Sequence, residues 1–221
     1  MKMKKRIGVL LSGCGVYDGT EIHEAVLTLL AIDRAGAEAD CIAPNAPQRQ
    51  VINHLTGEEV LGEKRQILVE SARIARGKVR PIGTVKVTEL DALVLPGGYG
   101  AAKNLSDFAL YGWECGVHVE VKRLILEMRQ ARKPLGFICI APAVAARVLG
   151  GEHPKLTVGC EAKTVQALEK MGAEHVECGA TEIVEDTERK IVSTPAYMVG
   201  EGIAEIADGI EKLIRRVVAL A

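Results

Sequence analysis

The stretch Lys5-Arg-Ile-Gly-Val-Leu-Leu-Ser-Gly-Cys-Gly15, running on through Thr20 into Glu21–Ala35, decides how the chain folds. Lys5–Leu11 reads as an apolar strand buried on both faces and ended by Gly13-Cys14-Gly15. Ile22, Ala25, Val26, Leu29, Leu30 and Ile32 then fall on one face of a helix. Thr20 is placed to cap that helix and Gly36 to stop it.

Working outward, the same alternation recurs. Ala37–Ala43 is a short strand closed by Pro44, and Glu63–Arg76 reads as helix. Asp91–Leu95 is a buried strand stopped by Pro96-Gly97-Gly98-Tyr99-Gly100, Glu114–Arg132 a long amphipathic helix, Leu135–Ile138 another apolar strand, and Ala141–Leu149 a short helix. Past Gly150-Gly151 come a strand at Leu156–Val158, a helix at Ala162–Met171, short strands near His175, Ile183 and Ile191, and a final helix from about Gly202. Residues 44–62 are polar, contain Pro44, Pro47 and Gly57, and form an excursion whose simplest shape is a hairpin. Strands alternating with helices at this spacing predict parallel βαβ units in a doubly wound, three-layer α/β sandwich, read as one domain over residues 1–221. Ligands of such sheets bind at the C-terminal ends of the strands, so Gly13–Gly19, Pro96–Gly100 and Cys139 should converge.

Composition narrows the partners. With 28 Lys+Arg against 29 Asp+Glu the formal charge is −1, which removes the counterion-release drive of nucleic-acid binding. One Trp, four Tyr and two Phe offer few stacking platforms for single strands. The longest apolar run, from Ala25 to Ile32, is far below the ~20 residues that cross a bilayer. Lys2, Lys4, Lys5 and Arg6 before Leu11-Ser-Gly-Cys14 look like a lipoprotein leader, but the apolar core Ile7–Leu11 is shorter than the ~7 residues a signal needs. Six cysteines spread along the chain without a C-x-x-C fit reduced thiols. The expectation is a cytoplasmic protein without nucleic-acid or membrane partners.

The candidate chemistry centres on Cys139. It follows a buried strand and precedes a helix with Pro142 in its first turn, the setting of a nucleophile elbow. The helix N-terminus favours thiolate, and the Ile140 N–H is placed to hold an oxyanion. Ala141 is the small neighbour such corners want, whereas Phe137 is not; the alternative is a cysteine buried for packing. Gly97-Gly98-x-Gly100 supplies either an anion nest or an ordinary tight turn. Glu24 lies one turn beyond Glu21 on the first helix, so both can face one cleft and a carboxyl there could move a proton to and from a thiol; the alternative is a solvated helix face. Two other patterns are incomplete. Gly13-x-Gly15 with Gly19 and Asp40 falls short of a dinucleotide fingerprint because Asp18 occupies the third glycine's place. Cys115-x-x-His118 and His175-x-x-Cys178 fit no standard zinc spacing.

The segments Gly8–Gly19, Ile52-Asn-His-Leu-Thr-Gly57, Leu95-Pro-Gly-Gly-Tyr-Gly-Ala-Ala-Lys-Asn104, Gly136-Phe-Ile-Cys-Ile-Ala-Pro142 and Thr194-Pro-Ala-Tyr-Met198 together resemble the ElbB-type proteins of the ThiJ/PfpI superfamily, relatives of class I glutamine amidotransferases. The resemblance covers essentially the whole chain. It implies a mostly parallel flavodoxin-like sheet, a homodimer, a Cys at the elbow and a Glu on the first helix, which the helix end Arg34-Ala35-Gly36 sets on Glu24. It also implies that the Gly97-Gly98 turn is an oxyanion loop, and that the activity is a cofactor-independent, metal-free glyoxalase acting on a small aldehyde such as glyoxal or methylglyoxal. Ile140 stands where many relatives carry His, and Gly159 with Cys160 stands near the place of another, so no Cys-His-Glu triad can be assembled. A Cys139–Glu24 pair is left to carry the chemistry, with Gly97, Gly98 and Ile140 around the oxyanion and Cys14, Tyr17 and Asp18 expected along the pocket. The rival expectations are a stress-responsive thiol protein and an amidotransferase-like partner in isoprenoid biosynthesis with little turnover.

Overall fold

The computed structural model describes residues 4–221, so Lys2 of the leader-like segment lies outside the described residues. The strands are β1 (Arg6–Leu10), β2 (Glu38–Ala43), β3 (Val79–Pro81), β4 (Ala92–Leu95), β5 (Leu135–Ile138), β6 (Lys155–Leu156), β7 (Glu174–His175), β8 (Val184–Asp186) and β9 (Ile191–Thr194). The helices are α1 (Ile22–Arg34), α2 (Ile67–Ile74), α3 (Tyr99–Lys103), α4 (Phe108–Tyr111), α5 (Val119–Gln130), α6 (Pro142–Leu149), α7 (Ala162–Lys170) and α8 (Ile203–Leu220).

Seven strands form one sheet in the order β3-β2-β1-β4-β5-β9-β8, parallel except for β8 at the edge. The central strands are apolar throughout because both faces are covered, and alternate residues feed opposite cores. Leu93, Leu95, Leu135 and Phe137 pack on one side with Val121, Leu124, Ile125 and Met128 of α5. Ile7, Val9, Val94 and Ile138 pack on the other with Ala25 and Ile32 of α1 and Ile206, Ile210, Leu213 and Ile214 of α8. This is the expected three-layer α/β sandwich.

From β1 the chain moves first to β2 on one side and later to β4 on the other. That reversal opens a crevice at the C-terminal ends of β1 and β4. The three predicted edges do converge there. Tyr99 N donates to Val16 O (2.8 Å), Gly100 N to Gly19 O (2.8 Å) and Glu21 N to Gly97 O (3.0 Å).

Several boundaries move for local reasons. Thr20 does not cap α1: its hydroxyl accepts from Ser12 N (2.7 Å), while the Glu21 carboxylate caps by accepting from Glu24 N (2.7 Å). α2 begins at Ile67 rather than Glu63, since Gln48 N donates to Arg65 O and Ile67 N to Ala46 O, pairing this segment with the excursion. That excursion does fold back on itself, with Ile52 bridged to Glu59 around the turn at Gly57. α5 starts at Val119, not Glu114, because Val117 bridges Ser106 and His118 caps the helix. Leu156 pairs with His175 in a separate two-stranded sheet. The short β3, α3 and α4 carry too little periodicity to be read from sequence.

Candidate active site

β5 ends at Ile138, and the next residue turns the chain into α6 with Pro142 as its first residue. Cys139 makes that turn in the left-handed region, φ 61°, a conformation that costs a non-glycine residue about 1–3 kcal/mol. Its N–H donates to Thr194 O of β9 (3.0 Å), so the sheet holds the strained residue in place. The elbow expected from sequence is present.

α1 delivers Glu24 to the same point. The residue is fully buried, and Gly97 N donates to its Oε2 (2.9 Å). Its Oε1 has no hydrogen bond of good geometry, but the Cys139 thiol and the Tyr197 N–H are turned towards the carboxyl. Gly97 explains how two side chains and a loop fit here: a Cβ on it would lie 2.5 Å from Cys139 Cβ and 2.8 Å from Glu24 Oε2. Gly98, at φ 89°, turns the loop where a Cβ would come within 2.3 Å of Glu21 N. The N–H groups of Gly98 and Ile140 point at the sulfur, which makes them the donors available to an oxyanion formed beside it.

Electrostatics correct one expectation. Burial, the nearby Glu21 carboxyl adding to it, pushes Glu24 up from 4.5 to about 8, against the opposing hydrogen bonds from Cys139, Gly97 and Tyr197. Burial also pushes the Cys139 thiol well above its ordinary value, and the Glu24 carboxyl raises it further. The Gly98 and Ile140 N–H groups pull it the other way without outweighing burial and the carboxyl. Burial and the neighbouring carboxyls thus push both groups of the pair towards their protonated forms, against the thiolate the helix N-terminus favours.

Cys139 and Ile140 open on a cavity of about 400 Å³. Tyr99, Phe108 and Met198 give it apolar walls, and Glu21 and Glu161 bring carboxyls to it. A hollow of about 520 Å³ beside Arg49, Lys103, Asn104 and His118 shares no lining residue with this one and holds no nucleophile.

The structure thus brings together Cys139, Glu24, Gly97, Gly98 and Ile140. It sets Cys14, Tyr17 and Asp18 elsewhere. Cys14 lies in the field of Glu70, Arg73 and Asp18, and burial raises its thiol. The Tyr17 ring stacks 5.0 Å from His54, and the buried Asp18 Oδ2 accepts from Ile52 N (2.8 Å). After β1 the chain bends towards α2 and the 44–62 excursion, and of this loop Val16 reaches the cavity. The excursion does not cover the site; α3, α4 and the start of α7 do. Sequence reading missed Tyr197, Glu161 and Tyr99. Tyr99 and Tyr197 each had a usable signal, since Pro96-Gly97-Gly98-Tyr99 follows β4 and Pro195-Ala196-Tyr197 follows β9 at the ligand-binding end of the sheet. Among the described residues no group of three or more His, Cys, Asp or Glu is arranged to hold a metal, and His118 is used to cap α5.

No protein-family model matches the chain. It is similar to a human protein named glutamine amidotransferase-like class 1 domain-containing protein 3, mitochondrial, at 46% identity over 97% of this chain and 83% of that one. Among solved structures, an isoprenoid biosynthesis protein with amidotransferase-like domain from Ehrlichia chaffeensis superposes with a TM-score of 0.89 at 41% identity, covering 97% of this chain and 99% of that one. A ThiJ/PfpI domain protein from Brachyspira murdochii shares the fold, with a TM-score of 0.59 at 13% identity over 99% and 97% of the two chains.

Proposed function

The chain belongs to the glutamine amidotransferase-like class 1 proteins, and from that membership and its resemblance to the ThiJ/PfpI fold we propose that it is a cofactor-independent glyoxalase, converting a small 2-oxoaldehyde such as glyoxal to its hydroxy acid. The observation that carries this reading is the packing of Cys139 and the buried Glu24 carboxyl around Gly97, where a Cβ would lie 2.5 Å from Cys139 Cβ and 2.8 Å from Glu24 Oε2, with Cys139 opening on a cavity and two backbone N–H groups turned towards the sulfur. No histidine lines the cavity among the described residues, which leaves a glutaminase-type triad without its base.

The reactive form is the pair lacking one proton. Sulfur adds to the aldehyde carbon as the C=O electrons move to oxygen, and the N–H groups of Gly98 and Ile140 hold the resulting alkoxide. The remaining proton of the pair passes to that oxygen, giving a hemithioacetal. The Glu24 carboxylate then takes the proton from the sulfur-bearing carbon as the neighbouring carbonyl oxygen takes the electron pair; the neighbouring carbon accepts that proton back while the hydroxyl proton on the sulfur-bearing carbon passes to the other oxygen. That leaves the thioester of the hydroxy acid. Water adds to its carbonyl, the C–S bond breaks, and a proton returns to sulfur, so aldehyde plus water has become hydroxy acid. A Glu24 value near 8 suits a group that must both take and give a proton around neutrality.

The rival thiol-sensor reading calls for a thiol of lowered pKa, whereas burial and the Glu24 carboxyl raise that of Cys139. The proposal includes cytoplasmic residence, supported by six free cysteines, although the human relative is named as mitochondrial. No helix among the described residues is long and apolar enough to cross a membrane. It also includes a homodimer, supported by the outward-facing Ile22, Val26 and Leu30 of α1; light scattering giving the mass of one chain would remove that part. For the reaction itself, purified protein should consume glyoxal and release glycolate, and Cys139→Ala should not. Turnover retained by the variant would overturn the assignment.

A further inference from the structure

The Cys139 cavity is far larger than a two-carbon dialdehyde requires. Its volume, about 400 Å³, lies within the range of about 300–1,000 Å³ in which pockets enclose whole small ligands. Tyr99, Phe108, Ile140 and Met198 make its surface mostly apolar. Its charged groups are all of one sign. Glu21 is among the lining residues, its carboxylate accepting from Glu24 N at the start of α1, and at the rim Glu161 is held ionised by the Thr164 hydroxyl and the Thr164 and Lys163 N–H groups. No Lys or Arg lines the cavity among the described residues. Lys103, one turn beyond Tyr99, lies over that ring (5.1 Å) and donates to Tyr17 O (3.2 Å) instead.

Resting on the glyoxalase reading for its chemistry, we infer that this cavity selects an uncharged 2-oxoaldehyde with an apolar, ring-sized body and turns away analogues that carry a carboxylate. An apolar body gains by covering the aromatic and aliphatic wall. A carboxylate would lose its water in a cavity lined by no cation and come near the ionised Glu161 at its rim, which is a cost applied only to the wrong ligand. The hydroxy-acid product becomes an anion, so the same charges favour its departure.

Two independent readouts test this on the wild-type protein. The first compares kcat/KM for phenylglyoxal, 4-carboxyphenylglyoxal and glyoxal. Phenylglyoxal should exceed each of the others by about ten-fold or more, the equivalent of about 1.4 kcal/mol. The second measures protection of Cys139 from iodoacetamide, read by mass spectrometry, with acetophenone and 4-acetylbenzoate as occupants. Acetophenone should protect at a concentration at least about ten-fold lower. Glu161→Gln, at the exposed rim, should narrow both ratios. Equal performance of the charged and uncharged compounds, or a better carboxylate, overturns the selection by charge, and glyoxal matching phenylglyoxal overturns the selection by size. If none of the three aldehydes is consumed, the glyoxalase reading fails alone, and the protection ratio still decides the selection.

Discussion

Two cysteines stand in the same kind of place in this molecule and have different surroundings. Cys14 follows β1 and Cys139 follows β5, strands whose last four residues are buried, and both lie at the end of the sheet where ligands bind. Around Cys139 a second strand end and a helix close in: Gly97 admits Glu24, the elbow is held at positive φ, and a cavity opens beyond. Around Cys14 the neighbours are Glu70, Arg73 and Arg65, and the adjoining Asp18 and Tyr17 are occupied in fastening the 44–62 excursion. A strand end is therefore only a position. Both cysteines have a carboxyl near them, Glu70 of α2 at Cys14 and Glu24 at Cys139; the site appears where the cysteine itself also turns at positive φ and leaves a cavity open.

The largest expected effect separates the two directly. Cys139→Ala should lower glyoxal turnover by at least about 10³-fold, as loss of a nucleophile does, whereas Cys14→Ala should leave it within about three-fold. Steady-state assays on both variants check this, and equal losses would erase the distinction.

Next in size is the pH dependence of stability. Below about pH 4.5 the Glu24 carboxyl is protonated in both folded and unfolded chains. Between there and about 8 only the unfolded chain ionises, so this group's contribution is present at low pH and is lost as pH rises to its folded value. Glu24→Gln removes the titration. Relative to wild type, the variant should therefore gain stability between pH 5 and 9, by roughly 3–5 kcal/mol in urea unfolding. A constant difference across that range would deny the buried, raised carboxyl.

The smallest effect compares two glycines. Gly97→Ala places a methyl against Cys139 and Glu24 and should cost about 2–3 kcal/mol with loss of turnover. Gly57→Ala, at φ 76° in the excursion with nothing within 4 Å, should cost only about 1 kcal/mol and spare activity. Thermal unfolding of the two variants ranks them, and the reverse order would contradict the close packing at Gly97.

Much of this frame is legible in the residues. The apolar runs of β1, β4 and β5 declare buried parallel strands, and the elbow at Cys139 follows from a strand, a corner and Pro142. Glu24 is reached through the family resemblance, since helix periodicity leaves it level with Glu21. The ionisation state is not legible, because it depends on how deeply α1 buries one carboxyl beside another. Nor is the lining: Cys14, Tyr17 and Asp18 adjoin a strand end in sequence, but the direction of the loop after Gly15 is set by contacts with Ile52 and His54, far along the chain. Phe108 sits on a helix too short to show a period.

The coupling of Cys139 to Glu24 is tested most directly by the pH dependence of Cys139 alkylation, followed by mass spectrometry in wild type and in Glu24→Gln. The carboxyl raises the thiol in the folded protein, so its removal should move the alkylation midpoint of Cys139 to lower pH, while that of Cys14 stays where it was. A Cys139 midpoint that is unchanged, or that moves to higher pH, would contradict the pair.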